Sequence, residues 1–269
     1  MAVTPTTFPG AAPKPTRVHR PGWRPASVGL ASAAAGLLLW ELAARLSGLP
    51  AFILPPPARV ASRLLEVLAD GSLARHTQAT LIEILAGLAL GGAVAAVLGY
   101  VVAKSPALER ALTPYIVASQ SIPVVAIAPL LVIWLGPGLL SKVVVCALIV
   151  FFPLLINTVV GLRSVPAELR DLLRSLRASR WQTFVKLEAP AALPVLLGGL
   201  KIGATLAVIG AVVGELVGAD RGLGFLVNVG RGQYDTALVF VAVGALVALA
   251  LSLYGGVALL ERLLLRWKR

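Results

Sequence analysis

Six stretches of this chain stay apolar over about 20 consecutive residues, the length a helix rising 1.5 Å per residue needs to cross a hydrocarbon core of about 30 Å. They are 28–46, 81–103, 113–135, 143–160, 195–218 and 237–260. The pattern predicts an all-α polytopic membrane protein with six transmembrane helices. The third stretch carries Pro114, Pro123 and Pro129. Each proline frees a backbone carbonyl that neighbouring helices, hydroxyl side chains or water must satisfy, so this helix is expected to face protein or a cavity.

Two segments between the spans carry a helical period. Val60, Leu64, Val67 and Leu68 recur at i, i+4, i+7, i+8, with Arg59, Arg63, Glu66 and Asp70 opposite. This predicts an amphipathic helix on the outer surface or against the bundle. The loop 161–194 reads as two short helices. Pro166 suits a first turn and Glu168 complements the helix dipole there. Leu169, Leu172, Leu173 and Leu176 then form an apolar stripe, and Arg170, Arg174 and Arg177 a basic one. Ser179 and Gln182 fit a capping box that starts a second helix, which Pro190 is expected to stop. On this pattern alone, a membrane-surface helix held by anionic lipid is an equally valid reading.

Composition agrees with a membrane protein and charge orients it. Hydrophobic residues make up 58% of 269 and charged residues 13%, against about 25% charged in soluble domains. A net charge of +12 could suggest nucleic acid, but a mean hydropathy of +0.90 excludes a nucleic-acid module. Residues 1–26 hold six prolines with Lys14, Arg17, Arg20 and Arg24, which predicts a disordered basic tail ahead of a membrane domain at 27–269. No small-residue cleavage site closes the first apolar run, so a signal peptide is not expected. Placing both termini, the 104–112 loop and the 161–194 loop, with Lys201 just inside the fifth span, on one side collects 17 of the 24 Lys and Arg residues, leaving 7 opposite. The positive-inside rule makes that side cytoplasmic. Trp23 and Trp267 fall where an interfacial aromatic belt is expected.

Several chemistries lack their residues. None of the six lysines follows a glycine, so there is no phosphate-binding P-loop, and this chain is not expected to hydrolyse ATP by that route. His19 lies in the tail and His76 just before the second span; both read as surface residues, and no metal site is expected. Cys146 is the single cysteine, which excludes a disulfide framework, and it reads as a small apolar residue of the fourth span.

The stretch DLLRSLRASRWQTFVKLEAP, 171–190, resembles the EAA loop of ATP-binding-cassette importer permeases: Glu-Ala-Ala, three residues, Gly, nine residues, Ile-x-Leu-Pro. Asp171, Leu172 and Leu173 take the first three positions, Arg177 the Gly position, and Leu187, Ala189 and Pro190 the Ile, Leu and Pro positions. The spacing matches throughout, although only Pro190 is identical. Arg in place of Gly means either a different turn or an Arg that contacts the partner, since a left-handed turn costs a side chain about 1 kcal/mol. Similarity to the same family continues through SQSIPVVAIAPLLVIWLGPGLLSK (119–142), FFPLLINTVVGLRSV (151–165), APAALP (189–194) and GELVGADRGLGFLV (214–227). These resemble the permeases for sulfonates, taurine, nitrate, thiamine pyrimidine precursors and riboflavin, the third-span wording favouring the last two. The likeness covers roughly residues 50–260.

The resemblance implies a type I importer fold in the bacterial inner membrane, with both termini cytoplasmic. It further implies a homodimer with two ATPase subunits and an extracytoplasmic substrate-binding protein, surrounded by lipid. ATP would be bound by the partner subunit, with no cofactor in this chain and no covalent step catalysed. Asp171, Leu172, Leu173, Arg174, Arg177, Ala178, Ser179, Leu187 and Pro190 would form the coupling surface to the ATPase. For the pathway, Glu215 stands out as the sole deep acidic candidate near the outer end of the fifth span, where a carboxylate needs a partner or a polar cavity. Ser119, Gln120 and Ser121 are the other polar candidates, as pathway groups or as interhelical hydrogen-bond partners. Glu41 and Arg45 read as an i, i+4 ion pair, and Gly222-Leu223-Gly224 as a turn outside the fifth span. An ion-gradient-driven secondary transporter or channel is the rival class. It would need inverted repeats, and none is evident.

Overall fold

The computed structural model describes residues 25–266, with side chains from Val28 onward apart from Ser119 and Gln120. The predicted tail, including Trp23 and its basic residues up to Arg24, lies outside the described residues, as does Trp267. Every regular element is helical among the described residues: α1 (Pro25–Leu46), α2 (Pro57–Ala69), α3 (Ser72–Lys104), α4 (Pro106–Gln120), α5 (Val124–Leu135), α6 (Leu139–Arg163), α7 (Ala167–Ser175), α8 (Arg180–Thr183), a π-helical turn Phe184–Glu188, α9 (Ala189–Gly218), α10 (Leu223–Gly232) and α11 (Thr236–Leu264).

The core is the row α3, α6, α9, with α11 closing over α9. Lipid supplies little hydrophobic drive between helices, so small residues that let backbones approach set the packing. Gly91 of α3 faces the Ala147 backbone of α6 so closely that an added Cβ would stand 2.6 Å from its carbonyl oxygen. Gly210 of α9 meets the Cys146 backbone in the same way, at 2.8 Å. Cys146 is fully buried in this seam, as the sequence suggests. By contrast, α1 is attached mainly through Trp40, whose Nε1 donates to the Pro55 carbonyl at 3.1 Å and whose ring stacks on Phe240. Its Glu41–Arg45 pair forms as expected, at 2.5 Å. The amphipathic helix α2 lies against the bundle. Val67 is buried and Val60 packs on the core, and Arg63 reaches Asp235 at 2.9 Å instead of facing away, while Leu64 and Leu68 stay exposed.

Five helices are long and apolar enough to cross a membrane among the described residues, and the predicted third span is not one of them. It is divided into α4 and α5 by Ser121, Ile122 and Pro123. Pro123 lacks an N–H and disfavours a helical conformation at Ile122, so the rod breaks there. Twelve residues of α5 rise only about 18 Å, too short to span alone. The opposite correction applies at Pro190. It does not stop a helix, because 180–218 runs on as one rod. The π turn accommodates the proline: the Ala189 N–H bonds back to the Phe184 carbonyl, and Pro190 follows directly at the start of α9.

Candidate functional site

The 161–194 loop begins with α7, a nine-residue amphipathic helix. It ends in a Schellman turn, with the Arg177 N–H bonding to the Arg174 carbonyl at 2.9 Å and the Ala178 N–H to the Leu173 carbonyl at 3.0 Å. Arg177 occupies the left-handed position with φ 53°. The turn the glycine of the EAA pattern would make is therefore kept, with a side chain bearing its strain. Ser179 then caps α8 reciprocally: the Gln182 N–H donates to its Oγ at 3.2 Å, and the Ser179 N–H donates to Gln182 Oε1 at 2.8 Å.

The three arginines of α7 and its turn do not form one face. Arg170 turns inward, donating to the Leu162 carbonyl at 2.6 Å and lying 3.6 Å from Glu188. Glu188 is 1% exposed and also binds Lys104 of α3 at 2.5 Å. The loop is thus pinned to α3 and α6 from behind, and an Arg163–Glu109 pair ties the end of α6 to α4 beside it. Arg174 points away from the bundle and pairs with the exposed Asp171 at 2.9 Å. The apolar stripe is outward as well: Leu169, Leu172, Leu176 and Trp181 are exposed, Leu176 by 67% and Trp181 by 71%. The helix is thus held by charge on its inner side and presents an apolar outer side.

At the other end of the bundle the arrangement inverts. Glu215 is 0% exposed. Its Oε1 accepts from Thr80 Oγ1 at 2.6 Å and its Oε2 from the Gly224 N–H at 2.5 Å, while the Leu223 N–H donates to Thr80 Oγ1 at 2.8 Å. Gly222 sits at φ 118°, and a side chain at Gly222 or Gly224 would strike the Glu215 carboxylate. Only glycine allows this turn to close over the acid. His76, read from sequence as a bystander, accepts the Gly222 N–H on Nδ1 at 3.0 Å and stacks on Phe225. Beside Glu215 lie Glu83 of α3 and Lys142 of α6, 2% and 3% exposed, 3.1 Å apart.

Glu215 is therefore one of three deeply buried acids, with Glu83 and Glu188. Sequence reading singled out neither of the other two: Glu83 lies near the start of the second apolar stretch and Glu188 outside every stretch. No local signal could have paired them with their lysines, since Lys104 and Glu188 stand 84 positions apart and Glu83 and Lys142 lie on different helices. Of the remaining candidates, Ser121 is exposed at the α4–α5 break and returns its Oγ to the Val117 carbonyl at 3.4 Å. The side chains of Ser119 and Gln120 lie outside the described residues. Leu187 and Pro190 sit where the π turn passes into α9.

Comparison with known proteins places this geometry. Residues 87–266 match the family described as "Binding-protein-dependent transport system inner membrane component". The chain is 52% identical over 232 residues to the riboflavin transport system permease protein RibX of Chloroflexus aurantiacus, covering 86% of this chain and 87% of the relative. It is 38% identical to the formylaminopyrimidine transport permease protein ThiX of Halalkalibacterium halodurans, covering 87% and 92%, and 32% identical to the taurine transport system permease protein TauC of Escherichia coli, covering 91% and 90%. A chain of the MetNI methionine ABC transporter, solved in inward-facing conformations, shares the fold with a TM-score of 0.62 over 73% of this chain and 97% of that one, at 22% identity. An all-α bundle of apolar helices, an EAA-spaced loop presenting an apolar face and relatedness across most of the length all agree: the chain belongs to the binding-protein-dependent inner membrane component family and is the permease subunit of an ATP-binding-cassette importer.

Proposed function

We propose that this permease imports a heteroaromatic solute of the riboflavin or aminopyrimidine type, as a homodimer with both termini in the cytoplasm, driven by two ATPase subunits that bind the ATP and dock on α7. The observation that carries the solute reading is the 52% identity to a riboflavin permease along 86% of the chain, well above the 32% to a taurine permease. The coupling reading rests on the exposed Leu169, Leu172 and Leu176 over the buried Arg170–Glu188 anchor. An ATPase that closes on ATP would push this face. The anchor would carry the displacement into α3 and the 180–218 rod and so tilt the bundle.

Leu187 and Pro190 act in this reading as the pivot where the loop joins the rod, and Asp171, Arg174, Ala178 and Ser179 complete the docking rim. The test is co-purification of the ATPase with Arg174→Glu plus Leu176→Asp, and uptake of riboflavin and taurine into reconstituted vesicles. Loss of the ATPase from a normally inserted chain, with riboflavin taken up by the unaltered complex, is the expected result. Retained ATPase or preferential taurine uptake would overturn the docking or the solute reading respectively. Reporters fused after Arg177 and Arg221 should read cytoplasmic and external, and the reverse would overturn the orientation.

A further inference from the structure

Between α3, α6 and the 180–218 rod lies an open crevice of about 570 Å³, walled by Ala96, Val97 and Tyr100, by Leu162, and by Phe184 and Leu196. Its depth follows from α3. Ala96 stands eight residues before Lys104, the last of that helix, which is about 12 Å along the axis. The crevice therefore starts within the apolar span and ends at Arg180, the first residue of α8. Apart from the rings of Tyr100 and Trp181 and the Arg180 guanidinium, its one polar lining side chain is Thr158, whose Oγ1 already donates to the Leu154 carbonyl at 2.7 Å. An ordered water needs several polar partners, and an imported heterocycle needs some to fix its orientation. A hydrocarbon chain needs none.

The mouth adds a charge requirement. The Arg180 side chain is exposed and has no ion-pair or hydrogen-bond partner among the described residues, and the same holds for the side chains of Arg177 and Lys186, within six residues of it. Glu188, the acid in this stretch of chain, is buried and taken by Lys104 and Arg170. A free guanidinium at the end of an apolar crevice is complementary to a phosphate diester, which it can bind through two N–H groups. Tyr100, Phe184 and Trp181 meet there, with successive ring centroids 5.3 and 5.7 Å apart, the residue types that gather at a membrane–water interface. Trp181 stands at the boundary between this crevice and the outward leucine face of α7. A second copy of the chain fits less well. Its unburied apolar helix is α1, which follows Arg17, Arg20 and Arg24 and so would bring like charge to Arg180. We propose that the crevice is a binding site for an anionic phospholipid, with one acyl chain lying between α3 and the rod and the headgroup phosphate on Arg180.

The test is native mass spectrometry of the permease–ATPase complex released from bilayers of equal parts phosphatidylglycerol and phosphatidylcholine, counting each lipid retained per permease chain. The unaltered complex should retain phosphatidylglycerol in preference, and Arg180→Gln should lower that preference about five-fold, the effect of one basic side chain at the interface. Val97→Trp, which fills the crevice from an exposed position on α3, should lose one retained lipid per chain of either kind. Excess inorganic phosphate should displace nothing, because it lacks the chain that the crevice holds. No preference in the unaltered complex, a preference unchanged in Arg180→Gln, a lipid count unchanged in Val97→Trp, or displacement by phosphate would each overturn the site. Crosslinking from Val97→Cys to a second copy of the permease would do the same, and would give the crevice to the dimer interface instead.

Discussion

The two ends of this bundle solve opposite problems with the same residue types. Where α3, α6 and α9 meet the glycine turn 222–224, charges point inward: Glu83, Lys142 and Glu215 are all at most 3% exposed, and backbone N–H groups close over Glu215. Where α7 crosses the other end, one charged pair is buried as an anchor and apolar side chains point outward. Burying charge in a low-dielectric interior is costly unless it is partnered, and the first end is held together by the Glu83–Lys142 pair and the hydrogen bonds onto Glu215. Leucine and tryptophan lie exposed at the second end, which in the proposed reading is the face the ATPase covers. In the proposed reading the first end holds shape around the solute and the second accepts force from the ATPase.

This contrast can be broken by substitution, and the largest effect is expected at the inward-charged end. Lys142→Met leaves two carboxyl groups buried without a cation and should cost about 3–5 kcal/mol, read as a collapse of the thermal unfolding midpoint in detergent. A midpoint within a few degrees of the unaltered chain would mean the cluster is hydrated and not structural. Next is Glu188→Gln, which strips the anchor of its charge and should cost about 2 kcal/mol. Its specific signature is faster hydrogen exchange throughout α7 while α3 and α6 stay protected. Equal protection of α7 would show that the loop holds without the anchor.

Smaller effects sharpen the comparison. Arg177→Gly relieves the left-handed strain at φ 53° and should raise stability by about 1 kcal/mol, with coupling to the ATPase intact. A drop in ATP-driven uptake would instead mean that the Arg177 side chain makes a contact worth its strain. Smallest in stability is Leu172→Asp, placed on an exposed face. It should stay within about 0.5 kcal/mol of the unaltered chain by thermal unfolding, yet release the ATPase. A large loss of stability would show that Leu172 packs inside this chain.

Much of the coupling loop was legible because its signals are local. The α7 stripe at i, i+3, i+4, i+7 and the Ser179–Gln182 box depend on residues a few positions apart, and both form. Arg177 illustrates the limit of such reading: spacing marked it as the turn position, but whether the backbone would accept a left-handed arginine depended on the Schellman hydrogen bonds around it. Pro190 shows the same limit from the other side, since a proline stops a helix only if the preceding turn cannot reopen as a π turn.

Hydropathy by itself determined that the chain is a helical membrane protein, because the energy of placing apolar residues in lipid is nearly additive along the sequence. Charge counting added an expected orientation, from the Lys/Arg bias between the two sides. What the tertiary structure alone decided is which polar residues inside those helices find each other. Glu83 and Glu215 are 132 positions apart, and Lys142 lies between them on a third helix; nothing local pairs them. They meet because glycines such as Gly91 and Gly210 bring α3, α6 and α9 into backbone contact, at a depth where an unpaired charge cannot be left.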